Sequence, residues 1–244
     1  AENTAMGYNA LGANTTASFN TAFGSVALDA NTTGTGNTAV GAAALSNSTT
    51  ASYNTAVGHD ALNDTTTGAE NVAVGNLALQ YNTTGTHNVA VGASDASSGA
   101  TLGTNSTGSQ NTAIGMQALK ANTTADNNTA VGYRSLYANT TGASNVAVGS
   151  LALDANTTGY YNNAFGYGAM GANTTGVQQV AVGFEALTAS TTGNYNVAIG
   201  NYALHANTTA SQNTAIGYAS LDVNTTGANN TAVGMHSLGA NTTG

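Results

Sequence analysis

The sequence predicts an all-β protein: a parallel β-solenoid, or β-roll, with one 17-residue coil per repeat and fourteen coils. Three observations predict it. First, a unit idealised as Asn-Thr-Ala-Val-Gly-x-x-Ala-Leu-x-Ala-Asn-Thr-Thr-Gly-x-x recurs through the whole chain. Copies begin at Asn3, Asn20, Asn37, Asn54, Asn71, Asn88, Asn111, Asn128, Asn145, Asn162, Gln179, Asn196, Asn213 and Asn230. Self-similarity at a fixed period is the signature of a repeat architecture, in which each unit contacts its neighbours. Second, two small-residue corners punctuate each unit. Position five is Gly in all fourteen copies, and position fifteen is Gly in ten and Ala in four. Third, the pattern lacks a 3.6-residue period, and the unit is too short for a helical hairpin.

Each element follows in order. Asn-Thr-Ala-Val reads as a first short strand, and Ala-Leu to Thr-Thr as a second. Gly at a corner permits positive φ without a Cβ clash. Asn beside it tolerates left-handed backbone and bonds its own main chain. Parallel stacking places each residue over its counterpart in the next coil, about 4.8 Å away. Files of like residues can then be read off. Position nine is Leu thirteen times and Met170 once; position four is always Val, Ile, Phe or Met. These two files are the expected apolar core. Position three is always Ala, from Ala5 to Ala232, where nothing larger than a methyl is expected to fit. Positions six, seven, sixteen and seventeen vary most and are expected at the surface.

The copy from Asn88 to Gln110 carries six extra residues. The insertion, 93–100, replaces positions six and seven and is expected to bulge outward from an intact ladder, because insertions are tolerated at surface turns. Position one is Asn thirteen times and Gln179 once. Position twelve is Asn eleven times, with Ser48, Thr65 and Ser190 as exceptions, and position fourteen is always Thr. Stacked amides and hydroxyls can bond along a file.

Composition bounds the partners. Ten acids and two bases, Lys120 and Arg134, give a net charge of −8. Nucleic-acid binding needs clustered Lys and Arg, so it is excluded. Anionic membrane surfaces are disfavoured likewise. No apolar run approaches the ~20 residues of a spanning helix, so no membrane insertion is expected. Without Cys there is no disulfide framework or thiolate metal site. No signal peptide stands at Ala1, and neither end has the character of a cap. The expectation is one repeat solenoid over 1–244, a segment of a longer fibre.

No residue set carries catalytic chemistry. His59, His87, His205 and His236 fall at different unit positions. Asp29, Asp154 and Asp222 share position ten but lie in coils two, nine and thirteen. No His-Asp set recurs beside a Ser or Thr, as an activated nucleophile needs. The chain is therefore expected to be no enzyme and to hold no cofactor or metal. Asn14, Asn31, Asn82, Asn122, Asn139, Asn156, Asn173, Asn207, Asn224 and Asn241 each precede Thr-Thr and form candidate glycosylation sequons. Against that reading, Asn-Thr-Thr is also turn chemistry, and glycans every ~5 Å along one file would collide. Tyr8, Tyr133, Tyr167, Phe184 and Tyr218 at position six, with Phe19, Tyr53, Tyr161 and Tyr195 at position seventeen, suit stacking on sugars or packing against another subunit.

Segments such as Asn111-Thr112-Ala113-Ile114-Gly115 and Asn196-Val197-Ala198-Ile199-Gly200 resemble the head repeat of trimeric autotransporter adhesins, a left-handed parallel β-roll of three chains. The resemblance runs through all fourteen copies. The unit here is longer, with an extended Asn-Thr-Thr-Gly turn, and in this it is similar to repeats of phage tail fibres. The resemblance implies three parallel chains.

The expected function is a structural extracellular fibre or adhesin shaft, non-catalytic, at an extracellular, cell or virion surface. The alternative is a binding module that presents ordered Thr and Asn files to ice or carbohydrate. Adjacent Thr residues at thirteen and fourteen should point to opposite faces, leaving one Thr rank. Val72, Val89, Val146, Val180 and Val197 interrupt a second rank at position two. A core of one Val, one Leu and two Ala per coil is thin. The expected partner is therefore self, as a homotrimer or end-to-end filament, with the Ala file at position three or eight as the seam. Cell-surface carbohydrate or protein is a further expected partner.

Overall fold

The computed structural model describes residues 2–92 and 99–243. Among them the regular elements are fourteen three-residue strands, with no helix. The chain divides into two compact units, Ala1–Asp126 and Asn127–Gly244. The first holds β1 (Thr4–Met6), β2 (Thr21–Phe23), β3 (Thr38–Val40), β4 (Thr55–Val57), β5 (Val72–Val74), β6 (Val89–Val91) and β7 (Thr112–Ile114). They pair in parallel in chain order, shifted by one repeat, as in Thr38↔Thr55, Ala39↔Ala56 and Val40↔Val57. The second holds β8 (Thr129–Val131), β9 (Val146–Val148), β10 (Asn163–Phe165), β11 (Val180–Val182), β12 (Val197–Ile199), β13 (Thr214–Ile216) and β14 (Thr231–Val233), paired in the same way. Both units are parallel β-solenoids with one coil per repeat.

The ladder runs unbroken past the insertion. Val89 pairs with Thr112, and Leu79 N–H donates to Thr101 O at 3.1 Å. The expected outward bulge of 93–100 lies, apart from Gly99 and Ala100, outside the described residues.

Each coil has one strand, at positions two to four, where two were expected. The Ala-Leu to Thr-Thr segment still bonds coil to coil. Leu28 N–H donates to Ala44 O at 3.0 Å, and Thr32 N–H to Thr49 O at 2.9 Å. Left-handed backbone breaks it into turns: Val26 has φ 51° and Leu28 φ 50°. Asn31 N–H then closes a turn onto Leu28 O at 3.2 Å. Neither Val nor Leu favours that conformation, so residue type carries no sign of it.

The two small-residue corners differ in cause. Gly at position five has φ between 121° and 156°, and a Cβ on Gly41 would strike the Gly58 carbonyl of the next coil. Among the described residues no position-fifteen glycine has positive φ. These glycines are small because a Cβ would crowd the neighbouring amide, as Gly34 does with Asn31 and with the Ala51 carbonyl.

Leu at position nine forms the core as expected: Leu28 to Leu221, with Met170, are fully buried. Position four is not core. Ala at position three is the buried residue of every strand from β2 to β14. Side chains alternate along a strand, so positions two and four must point outward. The methyl limit at position three thus belongs to the coil's own narrow interior, and so does the Ala file at position eight. Neither is a seam between chains.

Polar ladders fill the rest of the interior. The position-one Asn accepts from the backbone of the next coil, as Asn20 Oδ1 does from Asn37 N–H at 2.9 Å and Asn145 Oδ1 from Asn162 N–H at 3.0 Å. Asn20 Nδ2 donates to the position-fifteen carbonyl of its own coil, Gly34 O, at 2.9 Å. The position-twelve Asn31 reaches the same carbonyl at 3.0 Å. Position-twelve Asn side chains of successive coils also bond to each other, as Asn105 Nδ2 does to Asn82 Oδ1 and Asn156 Nδ2 to Asn139 Oδ1, both at 2.9 Å, although Asn14 Oδ1 is left unbonded beside Asn31. Buried amides are tolerated because they are paired.

Candidate interaction surfaces

The alternation that buries Ala exposes two ranks on the sheet of each unit. Position two supplies Thr, Val and Asn163; position four supplies Val, Ile, Phe and Met. Neither rank contains a charged residue. Large apolar side chains stand out of this face: Ile114 is 40% exposed in the first unit, and Phe165 41% and Ile199 39% in the second. Successive rows are one strand spacing apart, about 4.8 Å. The strands beneath already pair on both sides through the interior of each unit, so what the face offers is side chains.

The Thr files behave differently from one another. Position thirteen is largely spent on the fold: Thr32 Oγ1 donates to Thr49 O and Thr157 Oγ1 to Thr174 O, both at 3.0 Å. Position fourteen is exposed in every coil from Thr16 to Thr243. Both point away from the interior, because position twelve takes the inward place, which corrects the expectation of opposite faces. The Asn files are interior and present nothing to a ligand.

The same burial bears on the sequons. Asn31, Asn82, Asn122, Asn139, Asn156, Asn173, Asn207 and Asn224 are fully buried. Their Nδ2 atoms donate to carbonyls of the coil, as Asn139 does to Gly142 O at 2.9 Å. Asn14 and Asn241, in the first and last coils, are half-buried. Asn14 Nδ2 donates to Ala17 O at 3.4 Å, and Asn241 Nδ2 to Asn224 Oδ1 at 3.2 Å.

Ionisable groups are few and scattered. His87 Nε2 lies 2.8 Å from Glu70, His59 Nδ1 3.1 Å from Asp60, and His205 Nε2 3.5 Å from Glu185. Among the described residues no group of three His, Cys, Asp or Glu side chains could hold a metal ion. Asp154 sits 3.3 Å from Arg134, whose guanidinium lies over Tyr137 at 4.3 Å. Burial pushes the Asp154 carboxyl above its ordinary range, and the Arg134 charge and hydrogen bond only partly offset this. A cavity of about 300 Å³ lies beside Gly99 and Ala100, lined by Leu77, Tyr81 and Lys120 among others.

Comparison with family models, with curated proteins and with solved structures finds no match to this chain. The surfaces therefore have to be read on their own chemistry.

One arrangement has no signature in any single position of the repeat. Position-seven N–H groups bond to the position-six carbonyl of the preceding coil, as Tyr202 does to Phe184 O at 2.9 Å. Side chains at six and seven of adjacent coils therefore meet. In the second unit this gathers Tyr167, Phe184, Tyr202, Tyr218 and His236 into one strip.

Proposed function

We propose that the chain is a non-catalytic structural segment of a fibre at an extracellular, cell or virion surface, built from parallel copies packed through their sheet faces. One observation carries the reading: an uncharged rank of Val, Ile and Phe stands exposed on the sheet of each unit while the interior is filled by Ala, Leu and Asn. Exposed apolar patches of this kind mark interaction sites. The partner that fits best is a second copy of the same chain. Another stack with the same rise repeats its rows at the same spacing, and cyclic symmetry about an axis along the stack sets the same coil of each copy at the same height, so that residues nearest the axis meet their own equivalents. Three copies is the number that the resemblance to trimeric adhesin heads implies.

Cross-linking tests this. The chain has no Cys, so Ile199→Cys introduces a single thiol on the face, and Thr209→Cys a single thiol on the exposed Thr file. Oxidation is expected to link copies through position 199 and not through position 209. Equal linking at both, or none at either, overturns the packing.

A second reading has its own support, since positions two and four form two outward ranks of the kind a flat ice-binding face requires. Phe23 and Phe165 roughen that face, which favours a fitted protein partner. Thermal hysteresis in dilute solution separates the two, and its absence removes the ice reading.

A further inference from the structure

We propose that the aromatic strip of the second unit is a binding platform for an extended, uncharged polysaccharide. The strip runs over five consecutive coils, one ring per coil: Tyr167, Phe184, Tyr202, Tyr218 and His236. Ring centroids follow one another at 5.4, 5.4, 6.0 and 5.4 Å. Tyr167 and Phe184 are stacked at 12°, and the later pairs meet edge to face. His205 extends the strip sideways, 5.5 Å from the Tyr202 ring. Tyr167, Phe184 and Tyr218 are between 40% and 48% exposed, so the rings lie open and are not filling a core.

The coil does not need these rings. Position six is Ser25, Ala42, His59 and Asn76 in successive coils of the first unit, and those coils form the same ladder. Tyr8 and Tyr133 also stand at position six, but a ring follows in every successive coil only from Tyr167 to His236, so the continuous strip serves something local. The backbone holds them in place: Glu185 N–H donates to Tyr167 O, Tyr202 N–H to Phe184 O and His236 N–H to Tyr218 O, all at 2.9 Å. A platform fixed in this way loses little freedom on binding.

Three features select the ligand. The ring spacing is close to the length that one equatorially linked pyranose adds to an extended chain, so successive sugars can meet successive rings, by a C–H face where a ring presents its face and at the rim where a ring is turned on edge. Tyr hydroxyls and His ring nitrogens stand beside the apolar faces and can bond sugar hydroxyls. The charged side chains beside the strip are acidic: Glu185 pairs with His205, and Asp222 lies in the same group of coils. A polyanion, nucleic acid included, is repelled by such a surface, whereas a neutral glycan is not. The inference does not rest on the assembly proposed above.

The test is affinity electrophoresis of the whole chain in gels containing hydroxyethyl cellulose or konjac glucomannan, with polygalacturonate as the anionic control. Retardation is expected in the neutral gels and not in polygalacturonate. Tyr167→Ala and Tyr218→Ala should each weaken binding roughly tenfold, the scale of deleting one aromatic stacking partner. Tyr53→Ala, on an isolated ring in the first unit, should leave binding unchanged, and circular dichroism should show all three variants folded. Three outcomes overturn the proposal: no retardation in either neutral gel, retardation undiminished in both strip variants, or a change in sedimentation without a change in binding. The last would make the strip an interface between copies.

Discussion

Gln179 Nε2 donates to Asn173 Oδ1 across 3.1 Å. In several other coils that oxygen is bonded by the position-twelve Asn of the next coil, as Asn82 is by Asn105 and Asn139 is by Asn156, both at 2.9 Å. The coil that follows Asn173 has Ser190 there instead, too short to reach. The same coil carries the one Gln at position one, and its extra methylene spans the gap. Gln179 Oε1 in turn accepts from Asn196 Nδ2 at 3.0 Å. Coil three has Ser48 with no such compensation, and Asn31 Oδ1 is left buried and unbonded.

Gln179→Asn is therefore expected to orphan the Asn173 oxygen and to cost about 1–3 kcal/mol, the penalty for a buried unsatisfied acceptor. Ser190→Asn alone sets two donors against one oxygen and is also expected to destabilise. The double variant recreates the arrangement of the other coils and should recover most of the loss. Thermal melts of the four proteins check this; additive losses would refute the coupling.

Ala164→Leu places a bulky side chain inside a coil where Ala164 is fully buried. Overpacking should cost about 1–3 kcal/mol in stability. The loss should appear in the melting temperature at every protein concentration, because the site lies within one chain. A loss seen only where copies associate would return the Ala file to an intermolecular seam.

Val26 holds φ 51°, a poor conformation for a β-branched residue. Asn9 occupies the same unit position at φ 53°. Val26→Asn is expected to raise stability by about 1 kcal/mol through relief of backbone strain. The Val26 N–H bond to Tyr8 O, 2.8 Å long, is kept. A drop in melting temperature would mean that the Val side chain contributes more than its backbone costs.

Asp154 has a folded-state pKa raised by burial against the Arg134 charge that lowers it. The folded state therefore favours the protonated carboxyl. The contribution of Asp154 to stability falls as pH rises from its ordinary value of 3.8 through the folded pKa. Asp154→Asn removes that dependence. The melting temperature of the variant minus that of the wild type should be more positive near pH ~7 than near pH ~3. The opposite trend would mean that Arg134 dominates.

The period, the strand position and the Leu file were legible because they rest on repetition and size. The facing of Ala and Val in the strand was not. Both are apolar, and the mixed Thr and Val at position two gave the period-two pattern no polar side to read. The choice is made by space, since the interior already holds Leu at nine and Asn at one and twelve. Burial of Asn20 or Asn156 was equally hard to foresee, as amides are mostly exposed; here each has a carbonyl within reach. The left-handed Leu28 leaves no mark in sequence at all. The strip from Tyr167 to His236 spans two unit positions and needed the coil-to-coil register.

In the proposed fibre the outward sheet face joins copies of the chain. Sedimentation of the wild type and of Val182→Asp/Ile199→Asp at micromolar concentration tests it most directly. Both substituted residues are exposed, so the variant should keep its β circular dichroism. The wild type is expected to sediment as an oligomer, three chains by the adhesin resemblance, and the variant as a folded single chain. A wild type that sediments as a stable folded monomer, or a variant that remains the same oligomer, would contradict the claim.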